Sequence, residues 1–246
     1  MTFNTRAIIL RRDDFDGPDS RLLLLSNTHG KIELIAKGLR RLTSKLAAHA
    51  RPGVVADCFV VQGRRRKLFA GSVVEEKDDG LSLSQQYIQG AILRVTDALV
   101  PLEQHDLEQF SRLETALKLV RTNAPHINLL PHLYAWQLLV HSGYAQQLSE
   151  CMVCSQSLSG EEKVFLDVRR GGLAHTRCVL DEATPGVMLH RAAVNGLRHM
   201  SEAPLSDALR LRADDEIFNE MLRAIEAVVE ERFDAPSGGK LWVLHP

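Results

Sequence analysis

The apolar positions of the first 75 residues recur in short runs separated by turn chemistry, which predicts strands rather than helices. Arg6 to Arg12 is one apolar run with charged ends and Arg21 to Ser26 is a second. Between them Asp13, Asp14, Asp16, Gly17, Pro18 and Asp19 supply a turn. The Asn27-Thr28-His29-Gly30 stretch is a tight connection into Lys31 to Lys37. There Ile32, Leu34 and Ala36 alternate with Lys31, Glu33 and Lys37, the period-two signature of a half-buried third strand. From Leu42 to Ala50 the pattern shifts to Leu, Lys and Ala, which favours a short helix capped by Thr43 or Ser44 and stopped at Pro52-Gly53. Val54 to Val61 and Leu68 to Val74 are rich in β-branched residues and flank Gln62-Gly63-Arg64-Arg65-Arg66, a hairpin with a basic tip. Five strands with a helix between the third and fourth is the order of the OB-fold, a small barrel whose face and loops bind oligonucleotides.

After Lys77-Asp78-Asp79-Gly80 the period becomes helical. Tyr87, Ile88, Ala91, Ile92, Val95, Ala98 and Leu99 share one face, as do Leu107, Phe110, Leu113, Leu117 and Val120. Leu133 to Val140 predicts a third helix closed by Ser142-Gly143, and Ile217, Met221, Leu222, Ile225, Val228 and Val229 a late one. The expected class is α+β: an OB-fold domain over residues 1–79, then an all-helical domain over 80–246 interrupted near 149–180. Trp136, Tyr134 and His132 fall in a helical run and are expected in its core.

With 246 residues, 45% of them hydrophobic, the chain is long enough to bury a sizeable core. No segment approaches the ~18 consecutive apolar residues of a membrane span, and the expected location is cytoplasmic, associated with the nucleoid. The formal net charge of −1 conceals a division. Residues 1–72 hold ten Arg and four Lys against six acidic residues, a net +8, whereas the remainder holds sixteen bases against twenty-five acids, a net −9. Such asymmetry points to a basic module for a polyanion on an acidic scaffold. Two clusters stand out: Lys37, Arg40, Arg41 and Lys45 after the third strand, and Arg64, Arg65, Arg66 and Lys67 in the last hairpin. In an OB-fold these two regions flank one groove, a cationic track for phosphates. Phe59 and Phe69 lie in apolar strands and are expected in the core, so charge should outweigh base stacking.

Three of the four cysteines fall within residues 151–178, while Cys58 sits alone in an apolar run and reads as a core thiol. Cys151-Met-Val-Cys154, twenty residues, then His175-Thr-Arg-Cys178 gives two ligand pairs at zinc-ribbon spacing, with His in place of one Cys. Two intervening residues let one tight turn aim both side chains at one ion, and Gly171-Gly172 supplies a flexible approach to the second pair. Four ligands saturate a tetrahedral Zn²⁺, so the expected role is structural. A thioredoxin-like context is absent around the Cys-x-x-Cys, and no His-x-Glu of a zinc deaminase precedes Cys151.

The stretch His29-Gly30-Lys31-Ile32-Glu33-Leu34-Ile35-Ala36-Lys37-Gly38-Leu39-Arg40-Arg41, followed by Ser44, resembles the amino-terminal signature of the bacterial RecO recombination mediators. Ala7-Ile8-Ile9-Leu10-Arg11-Arg12, the basic hairpin, Leu139-Val140-His141-Ser142-Gly143-Tyr144 before Cys151, and Gly171-Gly172 follow in that family's order, to about residue 200. The resemblance implies an OB-fold, a helical domain and a zinc-binding insert. It also implies work with RecR at DNA gaps: binding of single- and double-stranded DNA, strand annealing, and help in replacing single-strand-binding protein with RecA. It implies no catalytic residue. His175 stands where zinc-bearing members commonly have Cys.

Two other functions remain open to the sequence. A zinc-ribbon DNA-binding regulator would use basic residues beside the metal, where Arg169, Arg170 and Arg177 lie, but no recognition-helix pattern adjoins them. A zinc-dependent hydrolase would need an open coordination position and a general base such as Glu150 or Asp181.

Overall fold

The computed structural model describes residues 2–63, 66–76, 80–179, 181 and 183–232. Five strands open the chain: β1 (Thr2–Asp14), β2 (Ser20–Ser26), β3 (Gly30–Ala36), β4 (Val55–Gln62) and β5 (Lys67–Glu76). They close into a barrel in the order β1-β2-β3-β5-β4, the OB-fold arrangement. Closure depends on the length of β1. Its first half pairs with β4 (Thr2↔Val61 to Ile8↔Val55) and its second half with β2 (Ala7↔Ser26 to Asp14↔Ser20). A register shift between Ile9 and Arg11 supplies the bend that lets one strand serve both neighbours. The interior is apolar, with Ile9, Leu22, Leu24, Ile32, Leu34, Val60 and Phe69 in one cluster.

The barrel is thinnest between β3 and β5, which share a single parallel pair, Ile35↔Leu68. Residues 102–105 cover the open end of β3: Leu102 bridges to Lys31, and the Glu103 N–H donates to the Lys31 carbonyl at 2.8 Å. Gly30 is required there, because its φ is +67° and a Cβ would lie 2.1 Å from the Gln104 carbonyl oxygen.

Two helices, α1 (Leu83–Leu99) and α2 (Leu107–Arg121), belong to the same compact unit as the barrel, which runs to Ala124. The expected division near residue 79 separates strands from helices, whereas packing groups the first two helices with the strands. Their presence explains why Lys31 does not face solvent. It is 7% exposed, with Nζ donating to the Asp97 carbonyl of α1 at 2.6 Å, and Arg11 reaches the Asp97 carboxylate at 2.6 Å. Burial lowers the Lys31 pKa, and Asp97 opposes that shift. Ser82 caps α1 in a reciprocal box with Gln85, whose amide also donates to the Val120 carbonyl of α2 at 2.7 Å. Ser82→Ala is therefore expected to cost about 1 kcal/mol, read as a lower urea midpoint at unchanged slope.

The second unit begins at Pro125. It holds α3 (Leu130–Leu139), α4 (Arg191–Glu202), the one-turn α5 (Leu205–Ala208) and α6 (Asp215–Arg232), together with β6 (Lys163–Asp167), β7 (Gly172–Ala174) and β8 (Gly186–His190). Trp136 and Tyr134 are in its core, and the Trp136 indole N–H donates to the Leu197 carbonyl of α4 at 3.0 Å. Apart from the expected interruption the unit is helical. Its antiparallel sheet, ordered β7-β6-β8, carries the interruption ten residues past 180, to His190.

Three expectations are corrected. The helix over Leu42 to Ala50 is a single 3₁₀ turn, Ala47–Ala50, and neither Thr43 nor Ser44 caps it. Gly38 at φ +65° and the Arg40 N–H bonded to the Pro18 carbonyl turn the chain before a helix can start. Phe59 is 42% exposed on the outside of β4, whereas Phe69 is buried. Tyr87 and Leu107 face outward, so the buried faces of α1 and α2 begin at Ile88 and Phe110.

Candidate nucleic-acid interface and metal centre

The basic candidates are arranged around the acidic β1–β2 loop, which the sequence had offered only as a turn. Asp19 Oδ1 accepts the Gly38 N–H at 2.7 Å, anchoring the turn that carries the first cluster. Arg40 lies against the same loop, with its guanidinium 3.1 Å from Asp14 Oδ2 and 3.3 Å from the Gly17 carbonyl. Lys37, Arg41 and Lys45 are exposed, and among the described residues their side chains have no ion pair. From the hairpin, Arg66 is exposed and stacks over the Phe15 ring at 4.7 Å, with Arg21 5.5 Å from the same ring. Lys67 is held by Glu103 at 2.6 Å, a contact that also keeps the Glu103 carboxyl below its usual pKa. Arg64 and Arg65 lie outside the described residues.

The two clusters thus meet on one loop, Arg40 at Asp14 and Gly17, Arg66 at Phe15. A cleft of about 360 Å³ adjoins the hairpin, with Arg66 and Lys67 opposed by Glu33 and Glu103. Its mixed charge distinguishes it from the purely cationic tip at Lys37, Arg41 and Lys45. Sequence reasoning missed Phe15 and Arg21. The one available signal was an aromatic side chain within an otherwise acidic turn.

The second site is built by two tight turns. Cys151 and Cys154 occupy a turn closed by the Ser155 N–H on the Cys151 carbonyl at 2.8 Å, with Ser155 at φ +56°. His175 and Cys178 occupy a 3₁₀ turn closed by the Cys178 N–H on the His175 carbonyl at 2.9 Å. The sheet brings the turns together: the Met152 N–H donates to the Leu173 carbonyl, and the Gln147 N–H to the Gly171 carbonyl. Gly172 admits this approach, since a Cβ there would lie 3.1 Å from that of Gln147.

All four ligand atoms lie within 4.8 Å of one another. Bonds of about 2.3 Å to a tetrahedral zinc place sulfurs about 3.8 Å apart, so the group is close to the size such an ion needs. His175 is buried, and its Nδ1 faces Cys154 Sγ at 3.4 Å and Cys178 Sγ at 3.9 Å. Its Nε2 is 3.9 Å from Glu161, which Arg177 holds at 2.9 Å, the position of a carboxylate that orients a ligating imidazole. Burial alone would raise the Cys151 pKa, but backbone N–H donors of Cys154, His175 and Val153 outweigh it and bring the thiol down to about 6. Desolvation, reinforced by the neighbouring sulfurs of Cys151 and Cys154, pushes Cys178 up to about 11. Cys58 is buried far from this chemistry in sequence and in the other unit, its thiol raised to about 12 by desolvation.

His190, Glu216 and Glu220 also converge, but Glu220 directs one oxygen to the His190 N–H and the other to its ring Nδ1, both at 2.7 Å. That pairing satisfies the backbone N–H of His190, the residue that precedes α4.

Comparison with known families covers most of the chain. Residues 1–75 match the family model described as recombination protein O N terminal, and residues 81–239 match recombination protein O C terminal. Proteins named DNA repair protein RecO are similar along nearly the whole chain. The one from Clostridium perfringens (strain 13 / Type A) is 23% identical, covering 91% of this chain and 89% of the relative. That of Dehalococcoides mccartyi is 26% identical over 98% and 94%, and that of Roseiflexus sp. 29% over 85% and 74%.

Proposed function

The chain belongs to the recombination protein O family, and from that membership together with the basic side of its barrel we propose a recombinational DNA-repair mediator rather than an enzyme. In this reading it binds single- and double-stranded DNA, promotes annealing of complementary strands, and helps load RecA onto DNA covered by single-strand-binding protein. RecR and single-strand-binding protein are its protein partners, and the protein works in the cytoplasm at the nucleoid. Among the described residues no helix is long and apolar enough to cross a membrane.

The observation that carries the reading is the meeting of two basic clusters on the β1–β2 loop of an OB-fold. Lys37, Arg40, Arg41, Lys45 and Arg66 would take phosphates, with Arg64 and Arg65 adding to them and Lys67 joining only where it leaves Glu103. Phosphate contacts position the strand without reading its sequence, so binding should be nearly indifferent to base order. Cys151, Cys154, His175 and Cys178 would hold Zn²⁺, whose four bonds would staple the two turns to the sheet.

The test is annealing of complementary strands coated with single-strand-binding protein. Acceleration at low salt is expected, and a protein that neither binds single-stranded DNA nor speeds annealing would refute the reading. The acidic loop adds a second expectation. Asp14 competes with DNA for Arg40, and the pair is exposed, with an ion-pair worth of at most ~1 kcal/mol. Asp14→Asn should tighten single-strand binding by about threefold at low salt in an equilibrium titration, with the gain vanishing as salt rises.

A further inference from the structure

Three leucines lie between β3 and the 3₁₀ turn, and they are not equivalent. Leu39 is sealed in the barrel core and Leu46 packs against it, so the segment is pinned at both ends. Leu42, between them, is 106% exposed, more than any other large apolar side chain among the described residues. Its placement is set by hydrogen bonds. The Ser44 N–H donates to the Arg41 carbonyl at 2.9 Å, making Leu42 and Thr43 the central pair of a closed turn. The Arg41 N–H donates to the Gly38 carbonyl and the Arg40 N–H to the Pro18 carbonyl, fixing the base of that turn to the β1–β2 loop.

A lone exposed leucine requires no explanation. This one stands at a hydrogen-bonded tip within five residues of Lys37, Arg41 and Lys45, the cations with no ion pair among the described residues. An apolar tip flanked by cations is complementary to a base stack flanked by phosphates. Leucine is among the side chains that enter base steps and unstack them.

We propose that Leu42 is a wedge that inserts between neighbouring bases of bound DNA while Lys37, Arg41 and Lys45 hold the flanking phosphates. The favoured place is the junction of single and double strand, where unstacking costs least. The proposal rests on the DNA-binding reading above and adds a contact to bases that charge cannot supply.

The full chain is titrated onto a partial duplex carrying 2-aminopurine at the junction, whose fluorescence rises on unstacking. Wild type should raise the signal. Leu42→Ala should bind about tenfold more weakly, with an unchanged salt slope and no fluorescence rise, and Leu42→Phe should restore both affinity and signal. Because Leu42 lies outside the core, neither substitution should disturb folding. A Leu42→Ala protein that matches wild type in affinity and fluorescence overturns the wedge while leaving DNA binding intact. Vesicles of phosphatidylglycerol and phosphatidylcholine provide the other arm: binding there that depends on Leu42, with junction binding unaffected, would assign the tip to a membrane surface and overturn the proposal. Absence of any salt-dependent DNA binding by wild type would instead bring down the DNA reading itself.

Discussion

Cys154→Ser is expected to empty the metal centre and to destabilise the unit that begins at Pro125 by on the order of 10 kcal/mol, the scale of a structural zinc site. The size of that effect distinguishes a ligand from a surface cysteine. Cys154 is exposed, and without a metal its replacement by the near-isosteric serine should change stability by less than about 0.5 kcal/mol. With a metal, the loss removes the bond that fastens the first turn to the second, and whole-domain stabilities of about 5–15 kcal/mol leave little in reserve. Elemental analysis should give one zinc per wild-type chain and none in the variant. A strong chelator should reproduce the drop in melting temperature in wild type but not in Cys154→Ser. Equal metal content and equal melting would remove the site.

The second large effect concerns salt. Among the described candidates five exposed cations, Lys37, Arg40, Arg41, Lys45 and Arg66, are left once Lys67 is assigned to Glu103; Arg64 and Arg65, outside the described residues, would steepen the dependence. If each of the five neutralises a phosphate, the logarithm of single-strand affinity should fall with the logarithm of salt at a slope near −3.5, so a fourfold rise in salt costs about 100-fold. Mixed-sequence, pyrimidine-rich and purine-rich strands should share that slope. A shallow slope with a strong base preference would instead indicate readout through the Phe15 platform or the Cys/His turns.

The barrel was legible in the sequence because its strands are short apolar runs, alternating at period two in β3, and its turns carry Asp, Gly and Pro. Leu22, Leu24, Ile32 and Leu34 are core for that reason. The alternation failed at Lys31, where a helix more than fifty residues later supplies the partner; nothing local announces Asp97. The metal candidates were legible because ligand spacing is a local property. Their supporting sheet was not: β7 has three residues, and β8 runs directly into α4. At Gly196 of that helix a Cβ would collide with Met221 of α6, which shows the close approach the glycine permits. The charge clusters were visible, but which cations are already paired depends on Asp14 and Glu103, residues brought in by the fold.

The central claim, that the barrel's basic side binds the DNA backbone, is tested most directly by the salt slope of single-strand binding in wild type and in the triple variant Lys37→Ala, Arg41→Ala, Lys45→Ala. Removing three phosphate contacts should lower the slope's magnitude by about 2, equally on unrelated sequences. Identical slopes in the two proteins, or no measurable binding by wild type at low salt, would contradict the account.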